Sequence, residues 1–356
     1  MNTNNCLLAT DSHNTSSEIT HLSNHLHPLN NSFNYNTCSV FHSTNATADN
    51  RDPHHTPGGP ATLTSQSSQS VSRPSTTILR PRMPFKVAAF NVRTLQPFDQ
   101  QVALARTMES LSIDVCCVSE TRIQDPSVVL QLKSPTSPPF HLRLSGDAVA
   151  SASGLAGVGV ALSNRAEAAL LDWIPVNSRL CAIRIEGSCR VSSKRPDKRN
   201  LFIVSAYAPT DCSSAAIKDE FYYQLHDLLL KARRTDVVML AGDMNAQVGL
   251  LSSDEVRLGG PHGLNKPRTD NGGRLLDICA AHQLFLVSTN FRHSVRRSAT
   301  WRPPNPNQSW TQIDHIAISY RWRGSVQNCR SYWSTCLDSD HALVCSNVVF
   351  RYGGQP

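Results

Sequence analysis

The sequence lacks the features that define several large classes of protein. Its first residues, MNTNNCLLATDSH, contain no basic stretch followed by an apolar stretch, so no signal peptide is predicted. No apolar run is long enough to cross a bilayer. We therefore expect an intracellular protein that is neither secreted nor membrane-bound.

A nucleotide-binding loop is also not predicted. The glycines of GLAGVGVALS (154–163) match neither G-x-G-x-x-G nor G-x-x-x-x-G-K-[ST], so they indicate close packing within a strand.

The cysteines also argue against an extracellular protein. The chain has 11 of them, an odd number, and no two are spaced as C-x-x-C. Cys116 and Cys117 lie within the apolar run IDVCCVSE, where buried reduced thiols are expected. This usage is typical of a reducing compartment and excludes a disulfide framework as the basis of the fold.

Residues 1–83 differ in composition from the rest of the chain. They are rich in Asn, Ser, Thr, His and Pro, as in HLSNHLHPLNNSFNYNTCSV, and show neither helical nor strand periodicity. Such a segment buries too little apolar surface to offset the entropy of ordering, so we predict a disordered low-complexity tail over 1–83. A globular domain is predicted over 84–350, with 351–356 as its C-terminal end.

The net charge belongs to the predicted domain. The tail has four arginines and four acidic residues, so the formal charge of +7 belongs to residues 84–356. A basic domain is expected to attract polyanions such as nucleic acids, although many basic proteins have no such partner.

Strand and helix patterns alternate along the domain. Strands are predicted over 85–91, 114–120, 154–163, 180–187, 200–209, 236–243, 312–319, 325–333 and 341–350, and helices over 99–112, 215–234 and 270–284. Because hairpin-like strand pairs also occur between 141 and 209, we predict α/β layers with mixed sheets instead of a doubly wound parallel sheet.

Polar residues follow the apolar strands at the points where the strands end. The set comprises Asn91, Glu120, Tyr207, Asp243, Asn245, Asp314, Asp340 and His341. Any one of them alone is typical of a turn or a helix cap. In α/β sheets the ligand crevice lies at strand ends, so together these residues predict one shared pocket.

The stretches AFNVRTL, VSETRI, SAYAPT, GDMNAQVG, TQIDHIAIS and SDHALV resemble motifs of the endonuclease/exonuclease/phosphatase superfamily, in the same order. Within it, DNGGRLLDICAAHQLFLVSTNF, SATW and QIDHIAIS look most similar to LINE-type retrotransposon endonucleases. They also resemble craniofacial development protein 2-like proteins, which have the same domain. The resemblance implies a four-layer α/β sandwich, in which two packed mixed β-sheets are flanked by helices.

The resemblance also implies a metal site. Hydrolysis of a phosphodiester needs positive charge beside the phosphate and an activated water, and a hard divalent cation held by carboxylates supplies the charge. By resemblance, Glu120 holds Mg²⁺ with help from Asn91, and Asp340 lies near the metal. Mn²⁺ is expected to substitute for Mg²⁺.

Asp243 and Asn245 are predicted to divide two tasks. Asp243 can orient and deprotonate the attacking water, whereas the Asn245 amide can donate to a phosphate oxygen, which a carboxylate cannot do. In an extended chain, residues two apart point to the same side, so we expect both side chains to face the substrate.

Four further residues complete the predicted catalytic set. A protonated His341 would donate to a non-bridging oxygen, and it needs a carboxylate partner to stay protonated near neutral pH. By resemblance that partner is Asp314, and Tyr207 donates to the phosphate or supports the leaving oxygen. Thr300 matches a threonine that helps to fix the site in retrotransposon enzymes, although an ordinary strand threonine fits the sequence nearly as well.

One residue departs from the pattern of abasic-site repair enzymes. Those enzymes have an aspartate two residues after the asparagine that matches Asn91, whereas this chain has Arg93. The difference argues against a repair function, and it leaves the retrotransposon-type interpretation intact.

Two basic segments are candidates for contact with DNA. SSKRPDKRN (192–200) is predicted to form an exposed hairpin tip, and KRPDKR (194–199) within it is a weak nuclear-import candidate. The segment FRHSVRRSATWRPP (291–304) mixes arginines with aromatic residues, as surfaces for phosphate and base often do. Its predicted contacts are Arg292, Arg296, Arg297, Trp301 and Arg302.

The leading hypothesis is a monomeric Mg²⁺-dependent DNA endonuclease that nicks DNA by metal-assisted hydrolysis and resides in the nucleus. The first alternative is a phosphatase or phosphodiesterase of the same fold that acts on phosphoinositide, sphingolipid or poly(A). The second is a catalytically silent, domesticated nucleic-acid-binding domain. The polar residues needed for catalysis are all present, which counts against the second alternative.

Overall fold

The computed structural model describes residues 83–350, except for 126, 135, 137, 148–155 and 188–198. The predicted tail up to residue 82, most of the basic segment 192–200 and the end 351–356 lie outside the described residues. The domain bounds of 84 and 350 therefore stay a prediction.

The strands of the described chain are β1 Phe85–Asn91, β2 Val115–Ser119, β3 Val129–Leu132, β4 Phe140–Ser145, β5 Val158–Leu162, β6 Leu170–Pro175, β7 Leu180–Ile185, β8 Leu201–Tyr207, β9 Val237–Asp243, β10 Leu284–Leu286, β11 Asp314–Ser319, β12 Val326–Tyr332 and β13 Leu343–Val348. The helices are α1 Phe98–Leu111, α2 Asn164–Ala168, α3 Ala215–Leu230, α4 Asp270–Ala281 and α5 Val295–Ser298. Short 3₁₀ turns cover Ser253–Glu255, Val287–Thr289 and Tyr320–Ser325.

The strands form two sheets. The first has seven strands in the order β12-β13-β1-β2-β5-β4-β3, and the second has six in the order β10-β11-β9-β8-β7-β6. Only β1 with β2 and β8 with β9 pair in parallel among the strands described. Both sheets are therefore mixed, as the sequence predicted.

Alternation of side chains along the strands builds the layers. In β1, Val87 and Ala89 face the core between the two sheets, whereas Ala88 and Phe90 face the opposite way and pack with α1 residues such as Leu104. The outer face of the second sheet packs in the same way against α3 and α4. The order of layers is helix, sheet, sheet and helices, which confirms the predicted four-layer sandwich.

Strand pairing brings the predicted polar residues to one edge of the sandwich. Asn91 pairs with Ser119, the residue before Glu120, at the ends of the parallel strands β1 and β2. Tyr207 pairs with Asp243 at the ends of β8 and β9, and Asp243 also pairs with Asp314 at the start of β11. The hydrogen bond from Asn91 to Asp243 shows that the two sheets deliver these side chains to the same region.

The sequence missed four strands and two short helices. Edge strand β3 is largely exposed, β6 is half-exposed, and β10 has three residues, whereas neither the length nor the burial of β4, which has six residues, explains why it was missed. The strand predicted over 154–163 begins only at Val158, and the helix predicted over 215–234 ends at Leu230. Short or half-exposed segments have too few apolar positions for periodicity to reveal them.

Candidate active site

Asn91 joins two carboxylates at the centre of the site. Its Nδ2 donates to Glu120 Oε1 at 2.8 Å and to Asp243 Oδ2 at 3.0 Å. Tyr207 Oη also donates to Glu120 Oε1, at 2.9 Å. Asn91 is fully buried, so this amide fixes residues of both sheets in one arrangement.

Three non-glycine residues in this region have left-handed backbone. Their φ angles are 59° at Arg93, 55° at Glu120 and 46° at Asn245. Such conformations are uncommon for arginine and glutamate, though less so for asparagine, and they cluster at sites whose geometry the fold imposes. Each of the three follows the end of a strand, where the chain turns out of the sheet.

The chain from Asp243 to Asn245 is a turn, so the prediction that both side chains project from extended backbone was wrong. The Asn245 N–H donates to Asp243 Oδ1 at 2.9 Å, and this bond folds the chain back at the end of β9. Asn245 Nδ2 donates to the Ala208 carbonyl at 2.9 Å, which uses one of its two amide protons. The other has no partner among the described residues.

His341 and Asp314 form a buried pair. His341 Nδ1 lies 3.0 Å from Asp314 Oδ2 and 4.0 Å from Asp243 Oδ2. Burial opposes the charged imidazole, but the Asp314 and Asp243 carboxylates outweigh it and raise the pKa of His341 to about 9. The imidazole is therefore protonated at neutral pH, and its Nε2 has no protein partner within the described chain.

The pKa of Asp243 is shifted toward neutrality. Burial is the largest cause, and the Asp314 carboxylate raises the pKa further, whereas His341 and the Asn91 amide lower it, with a net value of about 7. A carboxylate with such a pKa can both accept and release a proton near pH 7. Burial and the Glu120 carboxylate raise the pKa of Tyr207, which therefore stays a neutral phenol.

Thr300 fixes the backbone that presents Asp314. Its Oγ1 accepts hydrogen bonds from the N–H groups of Ile313 at 2.9 Å and Asp314 at 3.0 Å. Its carbonyl accepts from Ala342 N–H at 2.7 Å, beside His341. Thr300 thus links the two segments that supply the Asp314–His341 pair.

Asp340 lies between a cation and an indole. Its Oδ1 is 3.5 Å from Arg93 Nε, and its Oδ2 accepts from Trp301 Nε1 at 2.9 Å. Both carboxylate oxygens therefore already have a nitrogen partner.

Two groups of side chains could hold a divalent cation. Asp243, Asp314 and His341 have ligand atoms within 4.8 Å of one another, but an imidazole that is protonated on both nitrogens cannot coordinate a metal. Glu120 is half-buried, and its Oε2 has no hydrogen-bond partner among the residues described. That free oxygen makes the Glu120 side of the site the better fit for a hard cation.

The predicted DNA-contact residues fall in two places. Trp301 pairs with His341 through a β-bridge, and the exposed Arg302 follows it at the site. Arg292, Arg296 and Arg297 are exposed on and before α5. The Arg296 carbonyl accepts from Ser331 and Trp333, so that stretch packs against β12.

Several supporting residues were not predicted. Ser339 Oγ donates to the Asn91 carbonyl at 2.8 Å and accepts from the His341 N–H at 3.1 Å, so it ties the two ends of the domain together. Asn271 Nδ2 donates to the carbonyls of Pro209 and Asn245 at 2.8 and 3.2 Å. Ser339 lies within the motif SDHALV and Asn271 within DNGGRLL, so their place inside these motifs is the only signal in the sequence that could have indicated them.

Comparisons with known proteins agree with the fold. The sequence profile of the Endonuclease/Exonuclease/phosphatase family matches residues 88–349. Craniofacial development protein 2 of Bos taurus is 26% identical over 265 residues, which are 74% of this chain and 41% of that protein. The chain thus spans about two fifths of the length of the curated relatives that it matches.

Two solved structures match this chain over most of its length. The AP endonuclease LMAP from Leishmania major is 14% identical with a TM-score of 0.55, over 78% of this chain and 94% of that structure. The endonuclease domain of TRAS1, a telomere-specific non-LTR retrotransposon, is 12% identical with a TM-score of 0.47. The match covers 75% of this chain and 98% of that structure. At such identities the likeness to LMAP shows the fold alone.

Proposed function

The chain belongs to the endonuclease/exonuclease/phosphatase family, and on that premise we propose that it is a divalent-metal-dependent phosphodiesterase that nicks DNA. Membership of the family confirms the resemblance found in the sequence, as does the similarity to craniofacial development protein 2. The observation that carries the proposal is the linked set of Glu120, Asn91 and Asp243 beside the buried pair of Asp314 and His341. In this set Asp243 is a possible base, protonated His341 is a cationic hydrogen-bond donor, and Glu120 has a free carboxylate oxygen, all within one site.

Asp243 is the proposed base. Its pKa of about 7 lets it take a proton from the attacking water near neutral pH, where a carboxylate with an ordinary pKa is a weaker base. The Asn91 and Asn245 bonds to its two oxygens orient the carboxylate for this task.

His341, Asn245 and Tyr207 are the proposed donors to the phosphate. Protonated His341 can donate from Nε2 to a non-bridging oxygen while Asp314 holds Nδ1, and Asn245 has one amide proton to offer. Tyr207 remains protonated, so it can donate to the phosphate or the leaving oxygen once it releases Glu120. Thr300 is proposed to position Asp314 and to make no contact with the substrate.

Glu120 is the proposed ligand of Mg²⁺, with Asn91 beside it, and Mn²⁺ is expected to substitute. When bound, the divalent cation supplies positive charge that neutralises the phosphate and stabilises the charge developing on its oxygens. Asp340 is the weaker candidate ligand, because Arg93 and Trp301 already engage both of its oxygens.

DNA is the proposed substrate because the domain is basic and because exposed arginines lie at the site and beside α5. The excess charge of +7 lies on residues 84–356, and Arg302 is exposed next to His341. Arg93 replaces the aspartate typical of abasic-site repair enzymes, so we propose general nicking instead of repair. We propose that the protein acts as a monomer in the nucleus, and no described helix is long and apolar enough to span a membrane.

The test is the conversion of supercoiled plasmid to the nicked form, with Mg²⁺ and with EDTA. We expect nicking that EDTA abolishes, and we expect Asp243→Asn to slow it by about 10²–10⁴-fold, the usual contribution of a general base. Asp227→Asn, at an exposed position of α3, is the matched control and should nick at the wild-type rate. Equal nicking by Asp243→Asn and wild type would defeat the proposal, and phosphate release from phosphoinositides without nicking would favour the lipid alternative.

A further inference from the structure

A cleft of about 610 Å³ opens next to the candidate active site. Its walls are formed by Arg93, Arg302, Pro303, Pro304, Pro306, Gln308, Trp310 and Asp340. Arg93 bonds to Asn91 of the active site, and Asp340 bonds to Trp301, which pairs with His341, so the cleft adjoins that site. We call this cleft the arginine pocket.

Arg93 is held at the pocket by its backbone and by its side chain. Its N–H donates to Asn91 Oδ1 at 3.0 Å, which ties its left-handed backbone to the centre of the active site. Its Nε is 3.5 Å from Asp340 Oδ1, and Asp340 is itself fixed by the Trp301 indole at 2.9 Å. This ion pair places the half-exposed guanidinium at the pocket, and its two terminal nitrogens have no protein acceptor among the described residues.

Arg302 supplies a second cation. Its backbone N–H donates to the Asp340 carbonyl at 3.0 Å, so its Cα is fixed at the rim of the pocket. Its guanidinium has no carboxylate partner in the described part of the chain. Among the residues lining the pocket, two guanidinium groups therefore face one carboxylate, and the excess positive charge favours an anion.

One of the residues that line the pocket, Trp310, is aromatic. Trp310 packs against Trp333 with ring centroids 4.8 Å apart, so its indole is held in place, and three prolines also line the pocket. A rigid indole offers a face on which a nucleobase can stack.

We propose that the arginine pocket binds the phosphate of the nucleotide next to the one being cleaved, with Arg93 and Arg302 as its two cationic ligands. The proposal rests on the proposed function, since the pocket is defined by its position beside the catalytic phosphate. A substrate with a single phosphate leaves the pocket empty, whereas a polynucleotide fills both sites at once. The pocket therefore selects a nucleic-acid strand over lipid phosphates and small diesters. Asp340 is a positioning residue that acts through Arg93.

The test compares two double variants with the same change of charge. Arg93→Gln/Arg302→Gln removes the cations of the pocket, and Arg233→Gln/Arg234→Gln removes two exposed arginines that precede β9, at the opposite end of that strand from Asp243. The first readout is the Kd for a fluorescein-labelled DNA duplex, measured by anisotropy in EDTA at several salt concentrations. The second is the ratio of kcat/KM on DNA to kcat/KM on bis(p-nitrophenyl) phosphate in Mg²⁺.

We expect the pocket variant to bind DNA about tenfold more weakly, with a salt slope reduced by about one, because one phosphate contact is lost. We expect its kcat/KM ratio to fall by a similar factor, while the control variant changes each readout by less than about twofold. Wild-type affinity and salt slope in the pocket variant would overturn the inference even if nicking is observed. If wild type cleaves neither substrate, the proposed function fails, and the anisotropy measurement still decides whether the pocket binds a strand.

Discussion

At the scale of single residues, the buried pair of Asp314 and His341 sets the charge of the site. Asp314 is fully buried, and its Oδ1 has no hydrogen-bond partner among the described residues, so one oxygen of this buried carboxylate is left unsatisfied there. Such an arrangement is costly, and it persists because the Thr300 hydroxyl and the β9–β11 pairing fix the backbone at Asp314. The cost is partly offset by the charge that Asp314 holds on His341.

The first prediction concerns the protonation of His341. Its folded pKa, about 9, is above the ordinary 6.5, so the stabilisation from its proton is complete below pH 6.5 and is lost as the pH rises through 9. We expect long-range ¹H–¹⁵N NMR spectra at pH 7.5 to show a protonated ring in wild type. Asp314→Asn removes the main favourable charge and should lower that pKa.

A His341 ring that is neutral at pH 7.5 in wild type would contradict both the charge of the pair and the donor role proposed for His341. His315 is a control within the same spectra. Burial lowers the pKa of His315, so its ring should be neutral at pH 7.5 in the same sample.

At the scale of secondary-structure elements, the close approach of β8 and β9 positions the base. Gly242 precedes Asp243 and has φ of 155°, and a Cβ added there would lie 1.9 Å from the Ala206 carbonyl oxygen. No side chain fits in that space without separating the two strands. The glycine of GDMN is therefore required by packing, and Asp243 depends on it for its place at the end of the strand.

The second prediction is that Gly242→Ala destabilises the fold by about 3 kcal/mol, the upper end of the usual cost of overpacking. Urea denaturation measures the change in the free energy of unfolding. The matched control is Gly273→Ala in α4, where the added Cβ would meet no atom of the described residues within 4 Å apart from the backbone of its own helix and its chain neighbours. It should stabilise the protein by about 0.5–1 kcal/mol, because alanine is the better helix former. Equal stability of the two variants would show that β8 and β9 are less tightly packed than described.

At the scale of the whole molecule, the active site depends on the association of both sheets. Asn91 and Glu120 come from the first sheet, and Tyr207, Asp243 and Asp314 come from the second. The core between the sheets is built from alternating side chains of both, including Val87, Ile203 and Ile316. Formation of the site therefore requires the whole sandwich.

The third prediction is that residues 84–350 fold without the predicted tail. The three apolar clusters are built from residues of this range, so we expect the fragment to unfold thermally within a few degrees of the full chain. A fragment that ends at residue 313 lacks β11 to β13 and should not fold. A disordered 84–350 fragment, shown by circular dichroism, would contradict the predicted domain bounds.

The sequence by itself determined the elements that have strong local periodicity and the residues that follow them. The bounds of β1 were predicted without error, and those of α1 and β9 to within one residue, because each has several buried positions in a regular order. The order of the motifs was enough to indicate the family, and with it the sandwich fold.

Only the tertiary structure decided how the polar groups meet. The turn at Asn245, the bonds of Ser339 to Asn91 and His341, and the pairing of Arg93 with Asp340 join residues whose contacts leave no periodic trace in the sequence. The local order of apolar and polar residues indicates which face of a helix or strand is buried. It does not indicate which side chain from a distant part of the sequence will contact that face, because strand register and backbone turns determine this contact only when both sheets have packed.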